Sequence, residues 1–312
     1  MKKNLVFWVE NYFYNPNLSQ KLVSFLLLPL SFLYCFVMKI RFLSKKPQDF
    51  NIPIISVGNL NVGGSGKTPL VTALASRYEK SAIVLRGYGR KSRGLFVISD
   101  AKSILCDVDI SGDEARIYAD KLPSTIVIVS EDRKKGILKA KEMGAKIVFL
   151  DDAYSKHDIK KLDLVIDVDT TNKFCLPSGA FRERLYSKKN VVILKEEIDF
   201  KRVVTLKDAT DKMSLVTAIA RPSRLDRYLP KVVSKNYFED HHNFTKQEVE
   251  EILVADKSYS LLVTYKDYVK LKLFCLKLSL LDLEVEVDER IFDIIENYCI
   301  AISIVPHSYF KK

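Results

Sequence analysis

An α/β fold is predicted for this chain: a doubly wound, mostly parallel sheet, a smaller C-terminal α/β lobe after it, and an apolar helix ahead of both. Three observations carry the prediction. Short, β-branched, nearly uninterrupted apolar runs alternate with helical spacing from Ile52 onward. A glycine-rich turn joins the first such run to the first helix. Near the start, seventeen consecutive residues carry no charge.

That uncharged stretch is Leu22–Met38, LVSFLLLPLSFLYCFVM, bounded by Lys21 and by Lys39 and Arg41. Its length is the minimum for a bilayer-spanning helix. Pro29 at its centre suits a segment that dips into one leaflet better than a straight span. A buried core helix has the same composition, but the flanking Lys21, Lys39, Arg41, Lys45 and Lys46 favour an anionic membrane surface. The long, aromatic-rich segment before it and the lack of a small-residue cleavage pattern argue against a secretory signal.

Next, IPIISV (52–57), AIVL (82–85), TIVIV (125–129), KIVFL (146–150) and LVIDV (164–168) read as buried parallel strands. Helical spacing occupies Lys67–Glu79, Asp113–Lys121 and Asp132–Met143 between them. Residues 170–190, with Pro177, Gly179 and several cationic side chains, read as a long functional loop or crossover. VVIL (191–194), SLVTAIA (214–220) and SLLVTY (260–265) then suggest the second α/β unit. The expected organisation is a membrane-associating segment over 1–50, a phosphate-loop domain over 51–190 and the smaller lobe over 191–312.

The strongest motif is Asn61-Val62-Gly63-Gly64-Ser65-Gly66-Lys67-Thr68, between a strand and a helix. Glycines there let backbone N–H groups converge on phosphate oxygens, and the helix N-terminus adds a favourable dipole. Lys67 is placed to reach the β- and γ-phosphates of ATP and Thr68 to ligate Mg²⁺. The usual first glycine is Asn61 here, a residue that tolerates the left-handed region. The run Ile147–Leu150 ends in Asp151 and Asp152, the position of the acid that completes a magnesium site, although strand-end turns also favour Asp.

Composition sets limits on function. The chain has 312 residues, 47% of them apolar, and a formal charge of +11, which excludes a disordered tail, a small disulfide scaffold and a polytopic membrane protein. Residues 1–50 hold seven Lys/Arg and two Asp/Glu, so nearly half of the excess brackets the apolar stretch. Five widely spaced cysteines suggest neither a disulfide framework nor a zinc knuckle, and point to a reducing compartment.

Other segments complete a pattern: Ser56-Val-Gly-Asn-Leu60 before the loop, Leu85-Arg-Gly-Tyr-Gly-Arg90, Ser111-Gly-Asp-Glu-Ala115, Leu176-Pro-Ser-Gly-Ala-Phe-Arg-Glu183, Asp240-His-His-Asn-Phe244 and Val263-Thr-Tyr-Lys-Asp267. In this order and spacing, from about residue 10 to residue 270, the chain resembles the tetraacyldisaccharide 4'-kinases of lipid A biosynthesis. The resemblance implies transfer of the ATP γ-phosphoryl group to the 4'-hydroxyl of a tetraacyl glucosamine disaccharide 1-phosphate, giving the bis-phosphorylated lipid A precursor. It also implies two lobes and attachment to the cytoplasmic face of the inner membrane. Three departures stand out: Ala153-Tyr-Ser-Lys-His157 replaces the family's G-x-Q-H, Arg184 replaces a proline, and Tyr265 a glutamate.

By that resemblance Asp113 positions and deprotonates the acceptor hydroxyl, although an Asp at a helix start is also an ordinary cap. His241 is its expected partner, with the adjacent His242 structural. Arg182 suits a phosphate contact, and Arg86, Tyr88 and Glu114 are further substrate candidates. The partners expected are the acylated disaccharide lipid and anionic membrane lipid, with neither nucleic acid nor an obligate protein partner. A membrane-associated P-loop switch protein is the competing reading, against which the chain has no N-K-x-D tetrapeptide; a nucleic-acid-dependent ATPase fits less well, since no RNA-binding signature appears.

Overall fold

A computed structural model describes residues 2–219, 222–240 and 242–302. In chain order the elements are α1 (Lys2–Tyr14), α2 (Leu18–Leu26), α3 (Leu28–Leu43), β1 (Ile54–Asn59), α4 (Lys67–Ser76), β2 (Ser81–Leu85), β3 (Phe96–Asp100), α5 (Val108–Ser111), α6 (Asp113–Lys121), β4 (Ile126–Val129), α7 (Arg133–Glu142), β5 (Ile147–Asp151), β6 (Leu162–Ile166) and β7 (Val191–Leu194). Then come β8 (Phe200–Lys207), β9 (Met213–Thr217), β10 (Lys235–Tyr237), α8 (Lys246–Asp256), β11 (Ser260–Thr264), α9 (Tyr265–Leu271), β12 (Leu278–Val287) and α10 (Glu289–Ile302).

The five apolar runs read as strands form the centre of a seven-stranded sheet of order β3-β4-β2-β5-β1-β6-β7. All its pairings are parallel except that of the edge strand β3 with β4. The central strands are buried throughout, as uninterrupted β-branched sequences require when helices cover both faces. β1 lies between β5 and β6, so the turn after it opens at the carboxyl edge beside Asp151, where ligands of such sheets bind.

A second, five-stranded sheet has the order β10-β9-β11-β12-β8, with β12 and β8 antiparallel. Strand 191–194, read as part of this second unit, instead pairs with β6 at the edge of the first sheet. Its apolar pattern suits either sheet, and its pairing partner is set by a contact distant in sequence. The two sheets share a core: Phe200 and Val285 of the second, and Ile291, Phe292 and Ile295 of α10, belong to one buried cluster with Phe149 of the first and Leu70 and Leu74 of α4.

The single apolar helix expected over Leu22–Met38 is not formed. Pro29 lacks the N–H for a continuous ladder and is tolerated only in a first turn, so the chain breaks at Leu27 and restarts as α3 with Pro29 in that turn. The two helices are bent by 57°, and among the described residues no single helix is long and apolar enough to cross a membrane.

This helical pair is inverted relative to an ordinary surface helix: its small polar residues face inward. Gln20, Ser24 and Ser31 are buried, whereas Leu22, Phe25, Leu26, Phe32, Leu33 and Phe36 are each more than half exposed. Ser24 Oγ donates to the Ser178 carbonyl at 2.7 Å, and Ser31 Oγ to that of Cys175 at 2.8 Å while accepting from the Ser178 N–H at 2.9 Å. Tyr12 and Tyr34 donate to the carbonyls of Pro177 and Arg182. Cys35 and Cys175, 140 residues apart, form a disulfide across the same seam, contrary to the reading of the cysteines as unpaired. Sequence spacing carried no trace of this pair, because only the docking of α3 on the 170–182 loop brings the two together.

Helix α7 sits so close to the sheet that a Cβ on Gly136 would stand 2.5 Å from Val84 Cγ1. Gly136→Val should therefore destabilise the protein by about 1–3 kcal/mol, read as a lower urea midpoint at unchanged slope. An unchanged midpoint would mean that α7 can ride away from β2 without loss.

Candidate active site

Gly63 and Gly66 adopt φ of 92° and 72°, so the left-handed turns of the phosphate loop fall on glycine. Asn61 is not among the residues with positive φ, and its place needs no glycine. Instead it bridges to Phe181, and its amide donates to the Val168 carbonyl at 3.4 Å, while the Val62 N–H donates to that of Ala180. Asn61 and Val62 thus fasten the loop to the 170–190 segment, and Gly63 to Thr68 line a cleft. Lys67 Nζ lies 3.1 Å from Asn59 Oδ1, 3.3 Å from Ser65 Oγ and 3.5 Å from Asp152 Oδ1.

The two acids at the end of β5 differ in environment. Asp151 is buried; its Oδ2 accepts from the Tyr118 hydroxyl at 2.9 Å, and its buried Oδ1 has no hydrogen-bond partner. The same phenol is hydrogen-bonded to Thr68. Burial, then the charge of Glu114, pushes the Asp151 carboxyl up to about 7, against the pull of Lys67. Asp152, at φ 49°, turns outward; although burial opposes it, the charges of Lys67 and Arg182 hold it below the usual carboxylate range. Arg182 Nη2 contacts both Asp152 Oδ1 and Asn59 Oδ1.

An orphaned carboxylate oxygen and a threonine hydroxyl joined by one phenol suit a small divalent cation. Among the described residues no group of three or more His, Cys, Asp or Glu side chains gathers as a metal site. A phosphate-loop cation needs none, since it takes one hydroxyl, one acid and the oxygens of its phosphates.

Asp113 is the first residue of α6, after the N-cap Gly112, in a first turn where a carboxylate also suits the helix dipole. Its buried carboxylate lies 2.8 Å from Lys270 Nζ of α9. One turn earlier on α9, Lys266 pairs with Asp240 at 2.8 Å. His241 lies outside the described residues. His242 is engaged by Glu248 at 3.0 Å and packs against the Phe238 and Phe244 rings, a structural arrangement. Glu114 and Tyr88 line the cleft, whereas Arg86, Asp113, Asp151, Asp152 and Arg182 are not among its lining residues. His157 is buried, 3.6 Å from Glu183 and flanked by Phe42, Tyr154 and Tyr186, away from the phosphate loop's lining.

The cleft has a volume of about 950 Å³ and its far wall is the second sheet. Arg202 of β8 donates to the Ser65 carbonyl at 2.9 Å, and Arg224 to that of Gly64 at 2.7 Å. Arg202 fills the space beside Gly66, where a Cβ would stand 2.8 Å from its Nη2. Neither arginine, nor Tyr118, was legible in the sequence: each acts through a contact distant along the chain, and none sits in a recognisable motif. Asn59, in the segment before the loop, was visible there but without a role.

A family model described as tetraacyldisaccharide-1-P 4'-kinase (LpxK) matches residues 23–214 and 195–299. The chain is 47% identical over 301 residues to the tetraacyldisaccharide 4'-kinase of Aliarcobacter butzleri, covering 93% of this chain and 96% of that protein. It is 45% identical to the protein of that name from Campylobacter jejuni, covering 95% and 97%, and 45% identical to that from Helicobacter pylori, covering 94% and 95%. The crystal structure of the "apo" form of LpxK from Aquifex aeolicus in complex with ATP shares the fold, with a TM-score of 0.66, 24% identity and coverage of 88% of this chain and 99% of that one.

A carboxyl raised by folding costs stability as pH rises from its unfolded value near 4 to its folded value of about 7, because the unfolded chain releases the proton first. In metal-free protein, Asp151→Asn should therefore raise Tm by an amount that grows from pH 4 to pH 7 and then levels off. A gain independent of pH would show that folding does not shift this carboxyl's pKa.

Proposed function

Because the chain belongs to the tetraacyldisaccharide 4'-kinase family, we propose that this cleft binds ATP along the phosphate loop and passes its γ-phosphoryl group to an acceptor hydroxyl held at Asp113. The reaction is phosphorylation of the 4'-hydroxyl of a tetraacyl glucosamine disaccharide 1-phosphate, which yields the bis-phosphorylated lipid A precursor, lipid IVA. The observation that carries the residue assignment is the joining of three segments at one point: Lys67 from the loop, Asp152 from β5 and Arg182 from the 170–190 segment.

Phosphoryl transfer asks for alignment and charge neutralisation more than for covalent chemistry. The N–H groups of the loop and Lys67 hold the β- and γ-phosphates. Arg182, a planar guanidinium already at Asp152, faces the charge that spreads over the transferring group. Asp113 accepts the proton of the 4'-hydroxyl as its oxygen bonds to the γ-phosphorus and the bond to the bridging oxygen breaks, releasing ADP. Lys270 fixes that carboxylate, and His241 is its assigned partner. Thr68 and Asp151 would hold Mg²⁺, with Asp152 beside them, and the ion would supply charge neutralisation between the β- and γ-phosphates. Tyr88 and Glu114, in the cleft wall, are assigned to substrate contact.

The exposed aromatic and aliphatic face of α2 and α3, with Lys21, Lys39, Arg41, Lys45 and Lys46 around it, supports attachment to the cytoplasmic face of the inner membrane. A contiguous apolar face of this kind, on helices fixed from behind by serines, suits a leaflet better than water.

With radiolabelled ATP, Mg²⁺ and the disaccharide lipid in detergent, label should appear on the lipid. Lys67→Ala and Asp113→Ala should each reduce kcat at least about a hundredfold. ATP hydrolysis without labelled lipid would return the chain to the switch reading. Separately, Phe32→Asp with Phe36→Asp should abolish sedimentation with anionic vesicles while leaving Tm within a few degrees, since both rings are exposed. Retained sedimentation would overturn the membrane assignment.

A further inference from the structure

Helix α9 ties together residues that lie far apart in the chain. Its first turn carries Asp267, which is fully buried. One carboxylate oxygen of Asp267 accepts from the hydroxyls of Thr217 and Thr264 at 2.7 Å each, and the other from the Ala218 N–H at 3.0 Å. These partners lie at the carboxyl ends of the neighbouring strands β9 and β11, so α9 is fixed to that edge of the second sheet. Lys270 reaches the start of α6, and at the other end of α6 Lys121 stands 4.5 Å from the centre of the Tyr265 ring, so the two helices lie side by side.

Lys266 and Lys270, four residues apart, emerge on one face of α9. Lys270 makes two contacts at once: its Nζ lies 2.8 Å from Asp113 Oδ2 and donates to the His242 carbonyl at 3.1 Å. It also bears electrostatically on Asp267 of its own helix. Lys266 Nζ lies 2.8 Å from Asp240 Oδ1. Asp240 and His242, the residues that flank His241 in sequence, are therefore both held from α9, and the lysine that holds one of them also holds Asp113. His242 is engaged a second time by Glu248 of α8. An ammonium suits the double contact, because three donors on one atom can serve a carboxylate and a carbonyl together. With both side chains about nine-tenths buried, the Lys270–Asp113 pair gains little net stability, since each charge loses its hydration. What the pair supplies is position.

We propose that Lys270 and Lys266 are positioning residues for phosphoryl transfer: they hold Asp240 and His242 of the second lobe in register with Asp113 of the first domain. The assignment rests on the kinase reading above and on the roles given there to Asp113 and His241. Neither lysine is assigned a substrate phosphate, since each ammonium is already engaged by a carboxylate.

Steady-state phosphorylation of the disaccharide lipid tests this in Lys270→Gln, Lys270→Arg and Lys266→Gln, each made in the wild type and in Asp113→Asn. In the wild-type background Lys270→Gln and Lys266→Gln should each lower kcat about ten- to a hundredfold, with KM for ATP and for the acceptor changed by less than about twofold. Lys270→Arg, which keeps the charge, should recover part of the loss. In the Asp113→Asn background the same substitutions should leave the residual kcat unchanged, because a group that acts through another has nothing left to act on. Equal fractional losses in both backgrounds, or losses in KM alone, would overturn the proposal and make the lysines direct substrate contacts. Full kcat in both glutamine variants would overturn it as well. Should Lys270→Gln fail to fold with its buried partner unpaired, Lys266→Gln carries the same test, since the side chain of its partner Asp240 is 40% exposed. A wild type that hydrolyses ATP and labels no lipid would refute the kinase reading itself, a result distinct from all of these.

Discussion

The Asp152 carboxylate, held between Lys67 and Arg182, is the point on which the rest of the structure depends. It joins the phosphate loop, the end of β5 and the 170–190 segment, three stretches with no local reason to meet. Each is separately anchored: the loop by its glycine turns, β5 by parallel pairing with β1 and β2, and the long segment by the serines of α2 and α3 and by Tyr34. A half-exposed ion pair contributes little stability by itself. Its value here is positional, since it fixes where Lys67 and Arg182 stand relative to the phosphate loop.

Asp151 and Asp152 show how one strand end can yield two different acids. Backbone φ of 49° at Asp152 turns its side chain outward to the cations, while Asp151 stays in the sheet's last register position beneath Tyr118. The outward acid is kept ionised by its partners. The inward one is pressed toward its neutral form by burial and by Glu114, and so has most to gain from a cation.

The legible parts of the fold were those whose burial is uniform. β1, β2, β4, β5 and β6 are covered on both faces, so their sequences are continuous apolar runs that admit few other readings. β8 and β12 form an antiparallel pair with mixed exposure, and LSLLDLEVEV carries enough leucine and acid to pass for a helix. In the site, the phosphate loop and the acids at the end of β5 were visible because glycine spacing and strand-end acids are local signals. Tyr118, Arg202 and Arg224 were not, since a side chain's reach across a cleft leaves no mark on its neighbours in sequence. The Cys35–Cys175 pair and the edge position of β7 escaped for the same reason.

Arg202 and Arg224 donate to the Ser65 and Gly64 carbonyls, in the peptide units whose N–H groups are those of Gly66 and Ser65 in the phosphate loop. A peptide whose oxygen is already donated to is a better donor at its nitrogen, because the two polarise each other. The second sheet thus acts on the phosphate loop through its carbonyl oxygens, and loss of Arg202 or Arg224 would remove a polarising contact from those peptides.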